Sequence, residues 1–258
     1  MAREARRISE TGLYHIVFRG VNHCHLFEEN EDFEKFLALL AALKESLDMK
    51  VYAYCLMDNH AHLLIQEKSP GDVIIAMKKL LGPYALWFNR KYERSGSLIA
   101  NRYKSTCIQD EGYLFTLIRY IHQNPLVAGI VKHIDGYRWS SYCEYTKARP
   151  SLIDTCFILG QLSSDPQKAQ EEFMAFHGVL ENKDFSAFEG LRRTEDDIRR
   201  GIVSALGEIK LHAVNALSKP ERNAAIASLR EQGFSIRQIE RVTGVSRGII
   251  TRSTKRTS

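Results

Sequence analysis

From residue 13 the side chains alternate in kind. Across "LYHIVFRGV" (13–21), Tyr14, Ile16 and Phe18 fall on one parity and His15, Val17 and Arg19 on the other. A period of two predicts a strand with one apolar face. In "DFEKFLALLAALKESLD" (32–48), Phe33, Phe36, Leu37, Leu40, Leu43 and Leu47 return at helical spacing instead. "VYAYCLM" (51–57) is strand-like again, Asp58-Asn59 supplies a tight turn, and residues 60–66 form the next strand. There Ala61, Leu63 and Ile65 face one way and His60, His62 and Gln66 the other. Residues 72–93 predict a long helix that Gly82-Pro83 should break or kink. "KSTCIQD" (104–110) is a short strand candidate. The order β-α-β-β-α-β is that of a ferredoxin-like domain, an α+β fold on an antiparallel sheet. A further helix over 111–124 should stop before Pro125, because proline pushes the preceding residue out of the α region.

Residues 150–190 are helical and connective in pattern. Further on, Pro220 suits the first turn of a helix that Gln232-Gly233 ends. Ser235 and Ser246 are placed to cap two more helices, with Gly244 in the turn between them. Ile236, Ile239, Val242, Val245, Ile249 and Ile250 supply the apolar contacts of a helix-turn-helix. The second helix of such a unit enters a DNA major groove, which makes Arg247 and Arg252 candidate DNA contacts. The competing reading is a small helical bundle for protein contacts. The chain thus divides into a ferredoxin-like domain (1–150), a helical connecting region (151–218) and an all-α helix-turn-helix module (219–258).

Charge favours the DNA reading of that module. Residues 191–258 hold 14 Lys and Arg against 7 Asp and Glu, net +7, and residues 1–190 hold 22 against 24, net −2, which together give the +5 of the chain. A basic appendage on a near-neutral body is the electrostatic footprint of nucleic-acid binding. The rest of the composition is that of an ordinary globular protein of 258 residues, 44% hydrophobic and 26% charged. No apolar run reaches about 18 residues, so no membrane span is expected. "MAREARRISE" is basic but lacks the apolar core of a secretory signal. Cys24, Cys55, Cys107, Cys143 and Cys156 are scattered, with no C-x-x-C pair. That spacing points to reduced thiols in a cytosolic protein rather than to disulfides or a zinc knuckle.

His60 and His62, at i and i+2 on one strand, point to one face and suit a shared divalent ion such as Mg²⁺ or Mn²⁺, with a carboxamide or carboxylate oxygen completing the site. The H-x-H pattern alone is not specific. Nine histidines placed at random give roughly a third of one such pair. A second pair occurs at His23 and His25, read as a turn between strand and helix. Context separates them: His60 and His62 follow a hairpin turn on a strand predicted at the sheet centre.

His60-Ala61-His62, "NRYKS" (101–105), "RYIHQNPLVAGIV" (119–131) and "YRWSSYCEY" (137–145) occur in the order of a known family. Over about residues 10–150 the chain resembles the REP-associated tyrosine transposases, in the single-tyrosine branch of the HUH endonucleases and transposases. The resemblance implies a ferredoxin-like sheet and cleavage of single-stranded DNA at hairpin-forming palindromic repeats. A tyrosine hydroxyl attacks the phosphodiester, leaving a 5′-phosphotyrosine and a free 3′-hydroxyl that reverses the reaction or joins strands. Matched residue by residue, the nucleophile is Tyr120, with Tyr113 one heptad earlier in reserve. The metal ligands are His60, His62 and Asn124, where many relatives carry the longer Gln. Asn124 has a second reading as a helix C-terminal cap. Arg102, Lys104 and Arg119 are candidate phosphate contacts, and His122 points away from Tyr120 and Asn124. Whether His15 and Arg19 share the histidine face depends on strand register.

Two rivals stand beside a metal-dependent transposase: a non-catalytic DNA-binding regulator derived from one, and a structural metalloprotein. The four residues together favour the enzyme, with single-stranded and hairpin DNA at the first domain and duplex at the last. The resemblance leaves open a monomer or a homodimer that exchanges tyrosine helices.

Overall fold

The computed structural model describes residues 8–147, 152–180, 199, 202, 203, 205, 206, 214, 217–231, 234 and 236–254. It divides into two compact units, Met1–Asn182 and Lys183–Ser258. No helix among the described residues is long and apolar enough to cross a membrane.

The first unit is built on four strands: β1 (Leu13–Arg19), β2 (Lys50–Met57), β3 (His60–Gln66) and β4 (Lys104–Cys107). They lie in the order β2-β3-β1-β4, and every pairing is antiparallel. With α1 (Asn30–Ser46) between β1 and β2 and α2 (Asp72–Lys91) between β3 and β4, this is the ferredoxin-like arrangement. The predicted central strand is central: β3 is hydrogen-bonded to β2 and β1.

The two parities of β1 face different partners. On one, Phe18 meets Phe36 of α1 at 5.5 Å between ring centroids, and Phe36 meets Tyr84 of α2 edge-on at 5.2 Å. Fully burying a side chain such as Phe36 or Leu40 stabilises the fold by about 1.5–3 kcal/mol. A reciprocal hydrogen-bonded cap starts α1, in which the Asp32 carboxylate accepts from the Glu29 amide at 2.9 Å and the Glu28 amide at 2.7 Å. Lys91 and Tyr92 from the end of α2 complete its coordination at 2.8 and 2.9 Å. Burial alone would raise the Asp32 pKa, but these donors hold it below the ordinary value.

The other face of the sheet receives α3 (Glu111–Val127), which packs on β2 and β3. Asp110 caps it by accepting from the Tyr113 amide at 2.7 Å. Neither proline ends its helix here. α2 runs through Pro83 as one helix, and α3 continues past Pro125 to Val127. A proline forfeits one backbone hydrogen bond. In α2 the buried stripe Val73, Met77, Leu80, Tyr84 and Phe88 offsets that loss. In α3 it falls in the last turn, which Ala128 N closes on Asn124 O at 2.9 Å before Gly129 ends the helix at a left-handed φ of 72°.

Three short helices follow: α4 (Tyr142–Thr146), α5 (Thr155–Leu162) and α6 (Pro166–His177). Just before α4, the segment 139–141 covers the exposed edge of β2, with Leu56 N donating to Trp139 O at 2.9 Å and Ser141 N to Tyr54 O at 3.0 Å. The "YRWSSYCEY" block is therefore largely architectural, since Trp139 stacks on Phe33 at 4.4 Å and Tyr137 donates to Leu56 O at 2.7 Å.

In the second unit, α7 (Lys219–Glu231), α8 (Ile236–Thr243) and α9 (Arg247–Thr254) share a core of Ile226, Leu229, Phe234, Ile239, Val245 and Ile250, joined by Ile202, Leu206 and Val214. A three-residue turn at Gly244, with φ 73°, separates α8 from α9. Gln232, Gly233 and Ser235, expected to end one helix and cap the next, lie outside the described residues.

Candidate active site

The register settles which side chains share a face. His62 lies opposite Val17, Arg19 opposite His60 and His15 opposite Leu64. Directly opposed residues in an antiparallel pair point the same way. His15, Val17 and Arg19 therefore stand on the histidine face, under α3. Lys104 is also opposite Val17, so it lies on the same face at the sheet edge, about 10 Å from His62 at a strand spacing near 4.8 Å.

α3 brings Asn124 onto the two imidazoles. Its Nδ2 donates to His62 Nε2 at 3.3 Å, and its Oδ1 lies 3.4 Å from His60 Nε2. Tyr120, one turn earlier on the same helix face, meets the His62 ring edge-on at 5.6 Å between centroids. Residues 62 positions apart in sequence are thus joined at one point. The C-terminal capping of α3 falls to backbone groups, which leaves the Asn124 side chain to the histidines.

Both imidazoles are held neutral. Burial lowers His60 to about 4, with the Asn124 contact opposing the shift and the nearby Arg19 and His23 adding to it. His62 is lowered well below its ordinary value by burial, then by His60 and His15. His15 is lowered to about 3 by burial. Each neutral ring carries one proton. His60 Nδ1 lies 2.7 Å from Asn59 Oδ1 and donates to it, so the Nε2 lone pair faces Asn124 Oδ1. His62 Nε2 accepts from Asn124, so its proton is on Nδ1, which donates to His15 Nε2 at 3.1 Å.

Two imidazole lone pairs and one amide oxygen therefore converge, an electron-rich cluster that suits a cation. Donors at right angles around an ion with bonds of about 2.1 Å stand about 3 Å apart, near the 3.4 Å between His60 Nε2 and Asn124 Oδ1. Among the described residues no three His, Cys, Asp or Glu side chains form a metal site. A third donor would be the carboxamide, and such a set fits a divalent ion.

The remaining sequence candidates scatter. Arg102 is exposed beside β4. Arg119 is directed to α6, where it donates to Phe176 O at 3.2 Å and lies over the Phe176 ring at 4.2 Å. His122 is fully buried, bonded to His177 at 3.0 Å and to Ser141 Oγ at 2.8 Å. His23 sits in a short 3-10 turn, as read from the sequence. In the second unit Arg247 pairs with Glu240, and Arg252 is exposed on α9. Sequence reading missed Asn59 as a partner of His60. Its position in the turn before the first histidine was the available signal.

Residues 9–124 match the family described as IS200-like transposase. Among solved structures the chain is similar to a REP-associated tyrosine transposase bound to a REP hairpin, at 13% identity over 60% of this chain and 94% of that one, with a TM-score of 0.49. It is also similar to a putative transposase from Deinococcus radiodurans, at 16% identity over 44% of this chain and 89% of that one, with a TM-score of 0.32. No curated protein matches. The matched segment takes in all four strands and closes on Asn124. The segment 9–124, less than half of the chain, resembles the IS200-like transposases.

Proposed function

We propose that the first unit cleaves and rejoins single-stranded DNA through a phosphotyrosine intermediate on Tyr120, with a divalent ion held by His60, His62 and Asn124. The observation that carries this reading is the convergence of both Nε2 atoms on the Asn124 carboxamide, with Tyr120 one turn away on the same helix.

The phenol oxygen of Tyr120 attacks the phosphorus, and the bond to the 3′-oxygen breaks. The strand's 5′-phosphate stays on Tyr120, and the departing 3′-oxygen ends as a hydroxyl with the proton the phenol gave up. One phosphodiester replaces another, so the reverse attack by a 3′-hydroxyl joins strands at similar free energy. A bound Mg²⁺ or Mn²⁺ would polarise the scissile phosphate as a Lewis acid. The chain's own residues do the rest. Asn59 and His15 fix the tautomers of the ligand histidines, and α3 sets the distance between Tyr120 and Asn124. Lys104, on the same face, is placed to meet a strand's phosphates.

Hairpin-forming repeats are the proposed substrates because the four sequence blocks resemble REP-associated transposases. The basic second unit, with α9 as reading helix, would bind flanking duplex. The regulator reading is weaker, since a pure binder has no need of an aligned His60, His62, Asn124 and Tyr120. Incubation with end-labelled hairpin oligonucleotides and Mn²⁺ tests the proposal. A protein-linked label on a denaturing gel is expected, lost in Tyr120→Phe. A folded, metal-loaded protein that leaves every hairpin intact contradicts it.

A further inference from the structure

The turn between β2 and β3 consists of Asp58 and Asn59. Three backbone donors pin it. Gly20 N donates to Asn59 O at 2.9 Å, and Leu26 N and Phe27 N donate to Asp58 O at 2.6 and 3.1 Å. Phe27 is anchored in turn, stacked on Phe33 at 4.5 Å and tilted against Tyr84 at 5.6 Å. The fixed backbone sets the Asn59 side chain beside the first histidine, with Oδ1 2.7 Å from His60 Nδ1. In a ligand histidine that nitrogen is the one turned away from the ion. Its acceptor governs the orientation of the ring and the basicity of the other nitrogen.

The acceptor here is an amide. Aspartate would fill the same volume and suits a tight turn as well, and a carboxylate is a common partner of a ligand histidine. Among the described residues, however, the hydrogen-bond partners of His60 are Asn59 and Asn124, and behind His62 stands the neutral ring of His15. No described carboxylate bonds to His60 or to His15. A carboxylate would pull on the Nδ1 proton and raise the basicity of Nε2, which a neutral amide does only weakly. The gain is not the same for every ion. Zn²⁺ takes imidazole nitrogen more strongly than Mn²⁺ does, while Mg²⁺ and Mn²⁺ favour oxygen donors such as the Asn124 carboxamide. A more basic ring therefore helps zinc most.

We propose that Asn59 is a positioning residue that sets the metal preference of the site. Acting through His60, its neutral amide limits the affinity for Zn²⁺ and leaves the site to the harder Mg²⁺ or Mn²⁺. This rests on reading His60, His62 and Asn124 as the ligand set; it does not need cleavage to be observed.

The test compares Asn59→Asp with wild type in the full chain, each with and without His60→Ala. Aspartate keeps the size and turn preference of asparagine, and matching urea midpoints check the fold. Mn²⁺ affinity is read by titration calorimetry and Zn²⁺ affinity by competition with a chromophoric chelator. The His60→Ala chain reports any zinc held elsewhere. Asn59→Asp is expected to tighten Zn²⁺ binding by about 10- to 100-fold and Mn²⁺ binding by less, a change of ratio that a merely structural role would not produce. Asn59→Ala, which removes the acceptor, should weaken both ions. With His60→Ala present, the shift towards zinc should vanish. Equal gains for both ions, no gain, no loss in Asn59→Ala, or a gain that persists without His60 overturns the role of Asn59. If His60→Ala alone binds Mn²⁺ as wild type does, the ligand reading fails and this proposal with it. If the zinc gain appears while the labelled-adduct gel stays blank, the cleavage reading alone fails and the metal preference stands.

Discussion

Nδ1 of His62 lies 3.1 Å from Nε2 of His15, and the two rings are 13° from parallel. This contact decides which nitrogen of His62 carries the proton. A ligand histidine keeps its proton on the nitrogen turned away from the ion and donates it to a second residue. His15 accepts that proton and so carries its own on Nδ1, a buried nitrogen with no hydrogen-bond partner among the described residues. A buried orphan of this sort is costly, which makes His15 more than a space-filler. His15→Leu is expected to weaken Mn²⁺ binding by about 10- to 100-fold, measured by titration calorimetry on a variant whose circular dichroism matches wild type. Unchanged affinity would mean that the tautomer is set elsewhere.

Asn124 offers a sharper comparison. Asn124→Asp keeps the oxygen at the same reach and adds charge, so Mn²⁺ affinity should equal or exceed wild type. Asn124→Leu keeps the volume and removes the donor. A drop of about tenfold or more in affinity is expected there, in the range seen when a metal-site partner is lost. Equal binding by the two variants would remove Asn124 from the ligand set.

The far side of α3 predicts a stability effect. His122 is bonded to both His177 and Ser141, and Gln123 Nε2 donates to His177 O at 2.8 Å. His122→Leu strands two buried polar partners and is expected to cost about 1–3 kcal/mol in urea unfolding. A loss within experimental error would show that the network is not holding the helix.

The same network makes stability depend on pH. Burial lowers His177 to about 4, against the opposing hydrogen bond to Phe173 O and with the Arg119 charge adding to the shift, from an ordinary 6.5. Below 6.5 the unfolded chain binds a proton that the native chain refuses, so stability should fall as pH drops from 6.5 towards 4 and be complete above 6.5. Other buried imidazoles add to the slope with the same sign. His177→Gln should therefore make the urea midpoint less dependent on pH over that window without flattening it. A midpoint that is level in the wild type contradicts the burial of neutral rings.

How much of this was legible in the sequence varies with the range of the interaction. Periodicity and the Asp58-Asn59 turn carried the strand order, because alternation and a two-residue connection are local. The stop before Pro125 and a break at Gly82-Pro83 were misread because the proline rule weighs one lost hydrogen bond and ignores the packing that offsets it. Arg119, singled out for phosphate, is directed to Phe176, and only the position of α6 beside α3 decides that. The face of His15 and the two readings of Asn124 needed strand register and helix placement, which no local pattern encodes.

In the second unit the two arginines should behave differently. Arg247 is paired with Glu240, whereas Arg252 is exposed. If α9 contacts duplex, Arg252→Ala should reduce the slope of log affinity against log salt by about one, and Arg247→Ala by less. Equal slopes for wild type and Arg252→Ala would remove α9 from the interface.

The most direct test of the central claim is to map the covalent bond. After reaction with a hairpin oligonucleotide and Mn²⁺, nuclease trimming and tryptic digestion, mass spectrometry is expected to find a nucleotide on the peptide "YIHQNPLVAGIVK" (120–132), at Tyr120. A nucleotide on "STCIQDEGYLFTLIR" (105–119), which carries Tyr113, or on any peptide remote from His60 and His62, would contradict it.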